Sequence, residues 1–284
     1  MVEGPHFGDY FKNALHGLSD NILGRTLWEF SKVFRVEQRG QEYIPQLQEH
    51  LQKGALIVPF THPSVIDPML VIHLMMEHFD LETRRFLMLT GKKFFDGRMG
   101  PHALPLINFM RKRFGIEFVP IIQSNDNFYS DEERFEFNTH QLKDLRNILI
   151  CKPGGLLVAL APQGTRSPEM RRGQKGFDFL IRSNPETTMI APLALLATED
   201  IHRKGDNLHL NFGARVTGQF LEPIQATKLI ALANFDRSRQ LRLTIADEVM
   251  YQFAQVVSPE NRGVYSTYPP LPATPQEMLQ ITSQ

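Results

Sequence analysis

The 284-residue chain has one cysteine, Cys151, one tryptophan and no net formal charge, with 31 Lys and Arg against 31 Asp and Glu. A lone cysteine rules out an internal disulfide and leaves no cysteine pair for a metal site, a usage that suits a reducing compartment. No apolar run approaches the roughly 20 residues that cross a bilayer. The N-terminal MVEGPHFGDYFK lacks the basic stretch and apolar core of a secretory signal. The expected location is therefore cytoplasmic, free or at a membrane surface. Internal repeats and linkers long enough to split the chain are missing, and 42% hydrophobic with 22% charged residues is ordinary for a folded protein. Without a basic overall charge or a recognisable nucleic-acid module, nucleic acid is not an expected partner.

Charge is nonetheless uneven. Between residues 84 and 113 stand Arg84, Arg85, Lys92, Lys93, Arg98, Arg111, Lys112 and Arg113 against a single acid, Asp96. Phe94, Phe95, Leu104, Phe109 and other apolar residues are interleaved with them. Such a mixture fits an anionic membrane surface or an acidic partner. It equally fits a solvated basic face beside core residues.

Apolar spacing of three and four at Phe7, Phe11, Leu15, Leu18 and Ile22, with a second piece at 26–34, predicts an N-terminal helical segment over 1–34 that packs on the domain or touches membrane. Short apolar runs at 35–39, 54–60, 84–89, 116–122, 155–161, 188–197 and 207–216 read as strands. Helical periodicity is clearest at 64–79, 103–113, 130–150, 174–183 and 237–258. Strand alternating with helix predicts an α/β domain over 35–260, with a mainly parallel or mixed central sheet covered by helices. Ligands gather beyond the carboxyl ends of strands in such sheets. Residues 261–284, rich in proline and polar side chains, are expected to be an extended or partly disordered tail.

Two strand exits carry chemistry-bearing residues. LIVPFTHPSVIDPMLV, residues 56–71, ends its apolar run at His62 and then reaches Asp67. One reading is structural: Ser64 as N-cap and Asp67 at the third helical position form a capping box, with Pro68 in the first turn. The other is catalytic. Residues five apart do not share a helix face, so the pair meets only if His62 lies outside the helix and the Pro63–Ser64 turn folds it back. Imidazole suits proton abstraction from an alcohol, and a carboxylate on its other nitrogen would orient it and stabilise the imidazolium. No serine or cysteine stands in a Gly-x-Ser-x-Gly setting, so a nucleophile brought by the substrate, and hence direct transfer, is the chemistry that fits. The second exit is LLVALAPQGTRSPEMRRGQKG, residues 156–176. There Gly164 lets a ligand approach the backbone, Thr165 can donate a hydrogen bond and Arg166 can grip a phosphate. A plain strand-to-helix turn is the alternative.

Together, in this order and about 100 residues apart, THPSVID and APQGTRS resemble the His-x-x-x-x-Asp and Pro-Glu-Gly-Thr-Arg-Ser blocks of the glycerophospholipid acyltransferases. Weaker echoes run from RVEQRGQEYIP through GKKFF, FGIEFVPI, QKGFDFLI and TTMIAPLALL to HLNFGARV, so that the resemblance spans about residues 35–216. It implies an α/β fold with His62 as general base and Asp67 as its orienting partner. Gln163, Gly164, Thr165 and Arg166 would bind the phosphate of glycerol-3-phosphate or of a lysophospholipid such as 1-acylglycerol-3-phosphate. The donor would be an acyl thioester of acyl carrier protein or CoA, with no metal or other cofactor, and the setting a membrane surface. Two departures stand out. Gln163 replaces the block's glutamate, which removes a charge and makes the loop more receptive to anions, and Pro120-Ile121-Ile122-Gln123 stands where the family commonly has an arginine. Lys92, Arg111 or Lys175 would then assist Arg166. The departures leave two alternatives open: acyl transfer to a non-phosphorylated or sugar-containing lipid, and a non-catalytic lipid or acyl-carrier binding protein of the same fold.

Overall fold

A computed structural model describes residues 35–64, 66–81, 83–98, 103–201, 211, 214–235 and 244–267. The expected helical segment at 1–34 and the tail beyond 267 lie outside the described residues.

The fold is α/β. Strands β1 (Arg35–Arg39), β2 (Ala55–Pro59), β3 (Arg85–Gly91), β4 (Ile116–Ile121), β5 (Leu156–Leu160), β6 (Thr188–Ile190), β7 (Leu193–Leu196), β8 (Arg215–Phe220) and β9 (Ile224–Gln225) alternate with helices. The main sheet has the order β4-β3-β5-β2-β6-β9, parallel except for the antiparallel β6–β9 pair. A second sheet, β1-β8-β7, adjoins it where Phe60 bridges Leu193.

β2 sits centrally because every one of its residues is buried, as an unbroken apolar run requires of a parallel strand covered on both faces. Its side chains divide by period two. Leu56 and Val58 join a core with α1 (Ile44–Lys53), α2 (Asp67–His78) and α3 (Ala103–Phe114). Ala55 and Ile57 face the other core, shared with α4 (Asp131–Cys151), α5 (Lys175–Ile181), α6 (Ala226–Phe235) and α7 (Ile245–Ala254). Helices thus cover both faces and leave the strand ends to the loops.

Four expectations change. The 188–197 run splits into β6 and β7 at Ala191-Pro192, where proline has no N–H for the ladder. The strand expected at 207–216 extends past its expected end, over Arg215–Phe220, while 207–210, 212 and 213 lie outside the described residues. Helices α1 and α6 occupy segments for which no clear helix was expected. Residues 261–267 fold onto the domain in two short turns, and Tyr265 is buried at 1% exposure. Its phenol donates to Asp247 Oδ1 at 2.6 Å, and Arg172 reaches Asp247 Oδ2 at 2.8 Å. This network fastens the stretch after Arg166 to α7.

Candidate active site

The loop after β2 is held from the side by β7. Thr61 Oγ1 donates to the Leu195 carbonyl at 2.9 Å and accepts from the Leu195 amide at 2.7 Å. His62 follows directly, its ring edge-on to Phe60 at 5.9 Å between centroids.

Helix α2 begins at Asp67, two residues later than a Ser64 cap would place it, and among the described residues Ser64 Oγ has no partner. The capping box expected there does not form, whereas true boxes close at Ser130–Glu133 and Thr244–Asp247. Asp67 Oδ2 instead accepts from the Ser64 amide at 2.6 Å and meets His62 Nδ1 at 3.0 Å. The turn therefore folds the imidazole back over the start of the helix. With Nδ1 on the carboxylate, Nε2 is the nitrogen left for a ligand, and it has no partner among the described residues.

Asp67 is fully buried, and burial raises its carboxyl above the usual range. The His62 contact, the Ser64 amide and the nearby Thr198 hydroxyl act in the opposite direction. Among the described residues, Asp67 Oδ1 and Thr198 Oγ1 nevertheless lack a well-formed hydrogen bond. A carboxylate kept in so dry a place, with one oxygen unpaired, costs stability. Positioning a base is what such a group does well.

The second strand exit lies beside the first. The Ser167 amide donates to the His62 carbonyl at 3.0 Å, and Gly164 turns the chain at a φ of 72°, its amide returning to Ala161 at 2.9 Å. A Cβ there would lie 3.0 Å from Gln174 Cγ, and a left-handed φ already favours glycine. Gln163 is buried at 3% exposure and braces the loop, Nε2 donating to the Thr165 carbonyl at 2.9 Å while Oε1 accepts weakly from the Arg171 amide at 3.4 Å. A carboxylate could not donate to that carbonyl, so the amide answers a local need of the turn. Thr165 Oγ1 accepts from Asn125 Nδ2 at 3.0 Å, which leaves its proton to offer.

His62 separates two cavities. One, of about 290 Å³, lies at the carboxyl ends of β3, β4 and β5 and is lined by His62, Lys93, Gln123, Gly164, Thr165 and Arg166 among others. An apolar groove of about 490 Å³, with Leu142, Phe177 and the exposed Phe135 in its walls, shares Leu89, Ile121, Leu160 and Gly164 with it. The other cavity, of about 390 Å³, lies toward β7 and the 256–261 segment.

Of the additional cations expected, Lys175 lines the apolar groove. Lys92 and Arg111 line neither the groove nor the Arg166 cavity. The Lys92 ammonium lies 4.4 Å from the Tyr129 ring centre and 4.3 Å from that of Phe137, and Arg111 is an exposed residue of α3 whose charge acts on Glu117. Lys93, one residue along, is the lysine that lines the Arg166 cavity. Sequence reasoning had this residue in its basic stretch without a way to choose it, because a 3₁₀ turn at Lys92–Phe94 decides which lysine turns inward. Asn125 and Thr198 carried no motif signal.

No protein-family model matches the chain, and no curated protein is significantly similar to it in sequence. A solved structure to which its backbone is similar is that of the 1-acyl-sn-glycerophosphate (LPA) acyltransferase PlsC from Thermotoga maritima. Sequence identity is 14%, the TM-score is 0.45, and the match covers 88% of this chain and 89% of that one. Among the described residues no helix is long and apolar enough to cross a membrane, and no group of three or more His, Cys, Asp or Glu is placed to hold a metal.

Proposed function

We propose that the protein is an O-acyltransferase that moves a fatty acyl group from a thioester of acyl carrier protein or CoA to a hydroxyl of a glycerolipid in phospholipid synthesis. The observation that carries this reading is the 3.0 Å contact of His62 Nδ1 with the buried Asp67 carboxylate, in an imidazole that opens onto two cavities. Nε2 takes the proton of the acceptor hydroxyl as its oxygen attacks the thioester carbonyl. The new C–O bond forms, the C–S bond breaks, and the proton returns from the imidazolium to the departing thiolate. Asp67 stabilises the imidazolium in between. No protein nucleophile is required.

Arg166 and Lys93 make an anion-binding end for a phosphate, and the apolar groove beyond Gly164 suits the acyl chain. The acceptor implied by the sequence is glycerol-3-phosphate or a lysophospholipid, foremost 1-acylglycerol-3-phosphate, with its phosphate on Gln163, Gly164, Thr165 and Arg166. Exposed Arg111 and Lys112 on α3, beside the exposed Leu104, support work at an anionic membrane surface.

Purified protein given an acyl thioester and a lysolipid should release free thiol. His62→Ala should slow that release by at least about 10²-fold, the usual worth of a general base. Undiminished release by this variant would remove His62 from the mechanism, and no release with any acceptor would remove acyl transfer.

A further inference from the structure

Only one of the two Asp67 carboxyl oxygens is engaged. Oδ2 accepts from the Ser64 amide and meets His62 Nδ1, while the buried Oδ1 has no well-formed hydrogen bond among the described residues. Thr198 is 0% exposed, and its Oγ1 is likewise buried without a partner among them. Its hydroxyl is near enough to the carboxyl to pull that group's pKa down, against the rise that burial imposes. Buried polar atoms left unpaired are exceptions in folded proteins, and here a donor and an acceptor stand unpaired near one another. Ser64 Oγ, the other unpaired hydroxyl of the loop, is a weaker candidate, since Ser64 acts on the carboxyl through its amide.

The backbone brings Thr198 there under strain. Thr61 Oγ1 fastens β7 at Leu195 by two hydrogen bonds. Two residues on, Ala197 turns the chain at φ 60° and ψ 19°. Among the described residues it is the one non-glycine at positive φ, a left-handed conformation that a Cβ disfavours. Strain of this kind persists where the surroundings impose it and gathers at functional sites. The 3₁₀ turn Thr198–Asp200 follows. Ala197 and Glu199 line the cavity toward β7, whereas Thr198 between them does not and is turned into the protein.

Building on the acyl-transfer reading, we infer that Thr198 is a positioning residue for the His62–Asp67 pair, its hydroxyl donating to Asp67 Oδ1 as His62 takes up the proton. It touches neither substrate and gives up no proton. The acceptor's proton passes to His62 Nε2 and on to the departing thiolate, and the carboxylate must stay ionised throughout. A donor on its free oxygen favours the ionised form and so keeps the proton on the imidazole. Hydrogen bonds of this kind are often loose in an empty site and tighten when the reacting complex forms.

The test compares Thr198→Val, which keeps the shape and removes the hydroxyl, with Thr198→Ser, which keeps the hydroxyl. Thiol release from palmitoyl-CoA to 1-acylglycerol-3-phosphate is followed from about pH 5 to about pH 8. The valine variant should lose about tenfold in kcat, with KM for both substrates changed by less than about twofold. The acid limb of its kcat/KM should move to higher pH by about one unit, because losing a bond to the charged form raises a carboxyl's pKa. Serine should restore both. In an Asp67→Asn background the valine change should cost no more than about twofold, since the hydroxyl acts through the carboxylate. Thr198→Ala is read in the same way should the valine variant not fold. An acid limb that stays in place overturns the inference, as does a loss that adds in full to that of Asp67→Asn, or a serine variant no better than valine. The His62 ring signals in NMR follow the pair's titration without turnover. A midpoint moved up by about one unit in the valine variant, in a protein that releases no thiol with any acceptor, would uphold the Thr198 contact and overturn the acyl-transfer reading alone. No movement and no release would overturn both.

Discussion

The Ser167 amide donates to the His62 carbonyl at 3.0 Å, which ties the two motif loops together backbone to backbone across more than 100 residues of sequence. Because neither partner is a side chain, the alignment of His62 with the Arg166 loop survives substitution of either residue. The imidazole's aim is then set by its contact with Asp67, while Thr61, the residue before it, is anchored to Leu195.

Asp67→Asn keeps the shape of the buried group and removes its charge. Turnover should fall roughly 10²- to 10⁴-fold, because the imidazolium loses its counter-charge. Stability should move the other way. Burial raises the Asp67 carboxyl above the ordinary 3.8. A group raised in this way favours the fold in full below its unfolded pKa, and that contribution is lost as pH rises through the folded value. Thermal midpoints of the asparagine variant should therefore gain on the parent as pH rises above that ordinary value. A midpoint that falls at neutral pH would mean the ion pair is stabilising after all.

Thr61→Val removes the hydroxyl that satisfies both backbone groups of Leu195. Two buried polar groups lose their partner, for a cost of about 2–3 kcal/mol seen in denaturant unfolding. His62 is the next residue, so thiol release should drop as well, while Thr61→Ser should restore both.

The fold was legible where the chain is most regular. The unbroken run at Leu56–Val58 and the one at Leu156–Leu160 announced central parallel strands, and both are fully buried. Helix α1 escaped because its buried face is only Ile44, Leu47 and Leu51 among glutamines. The turn at Ala191-Pro192 was read through because flanking apolar residues on both sides look like one strand. At the site, spacing could suggest that His62 and Asp67 meet. It could not say that the helix starts at Asp67, which is a matter of backbone angles in the turn, nor that Lys93 lines the Arg166 cavity while Lys92 packs on Tyr129. The cavity toward β7 unites residues near 62, 167, 199 and 260, four segments that no local pattern connects.

Gln163→Glu tests whether the amide is a requirement of the turn. The change removes the donor to the Thr165 carbonyl and places a carboxyl at 3% exposure. A loss of about 1–3 kcal/mol is expected at neutral pH. The introduced acid would have a raised pKa, and its protonated form can donate again. The deficit should therefore shrink as pH falls toward 4 and grow as pH rises. Equal stability at all pH values would show that the loop closes without this bond.

Arg166→Ala distinguishes which substrate lies on the cationic side. A charge-assisted hydrogen bond to phosphate is worth about 1.5–3 kcal/mol, or roughly 10- to 100-fold in affinity. If the donor's phosphate rests there, KM for palmitoyl-CoA should rise by that factor while KM for the acceptor stays put, and Lys93→Ala should act in the same direction because Lys93 lines the same cavity. Arg166→Lys should recover part of the loss, keeping the charge without the planar fork. A raised KM for a phosphorylated acceptor with an unchanged one for the thioester would instead place the acceptor's phosphate on Arg166.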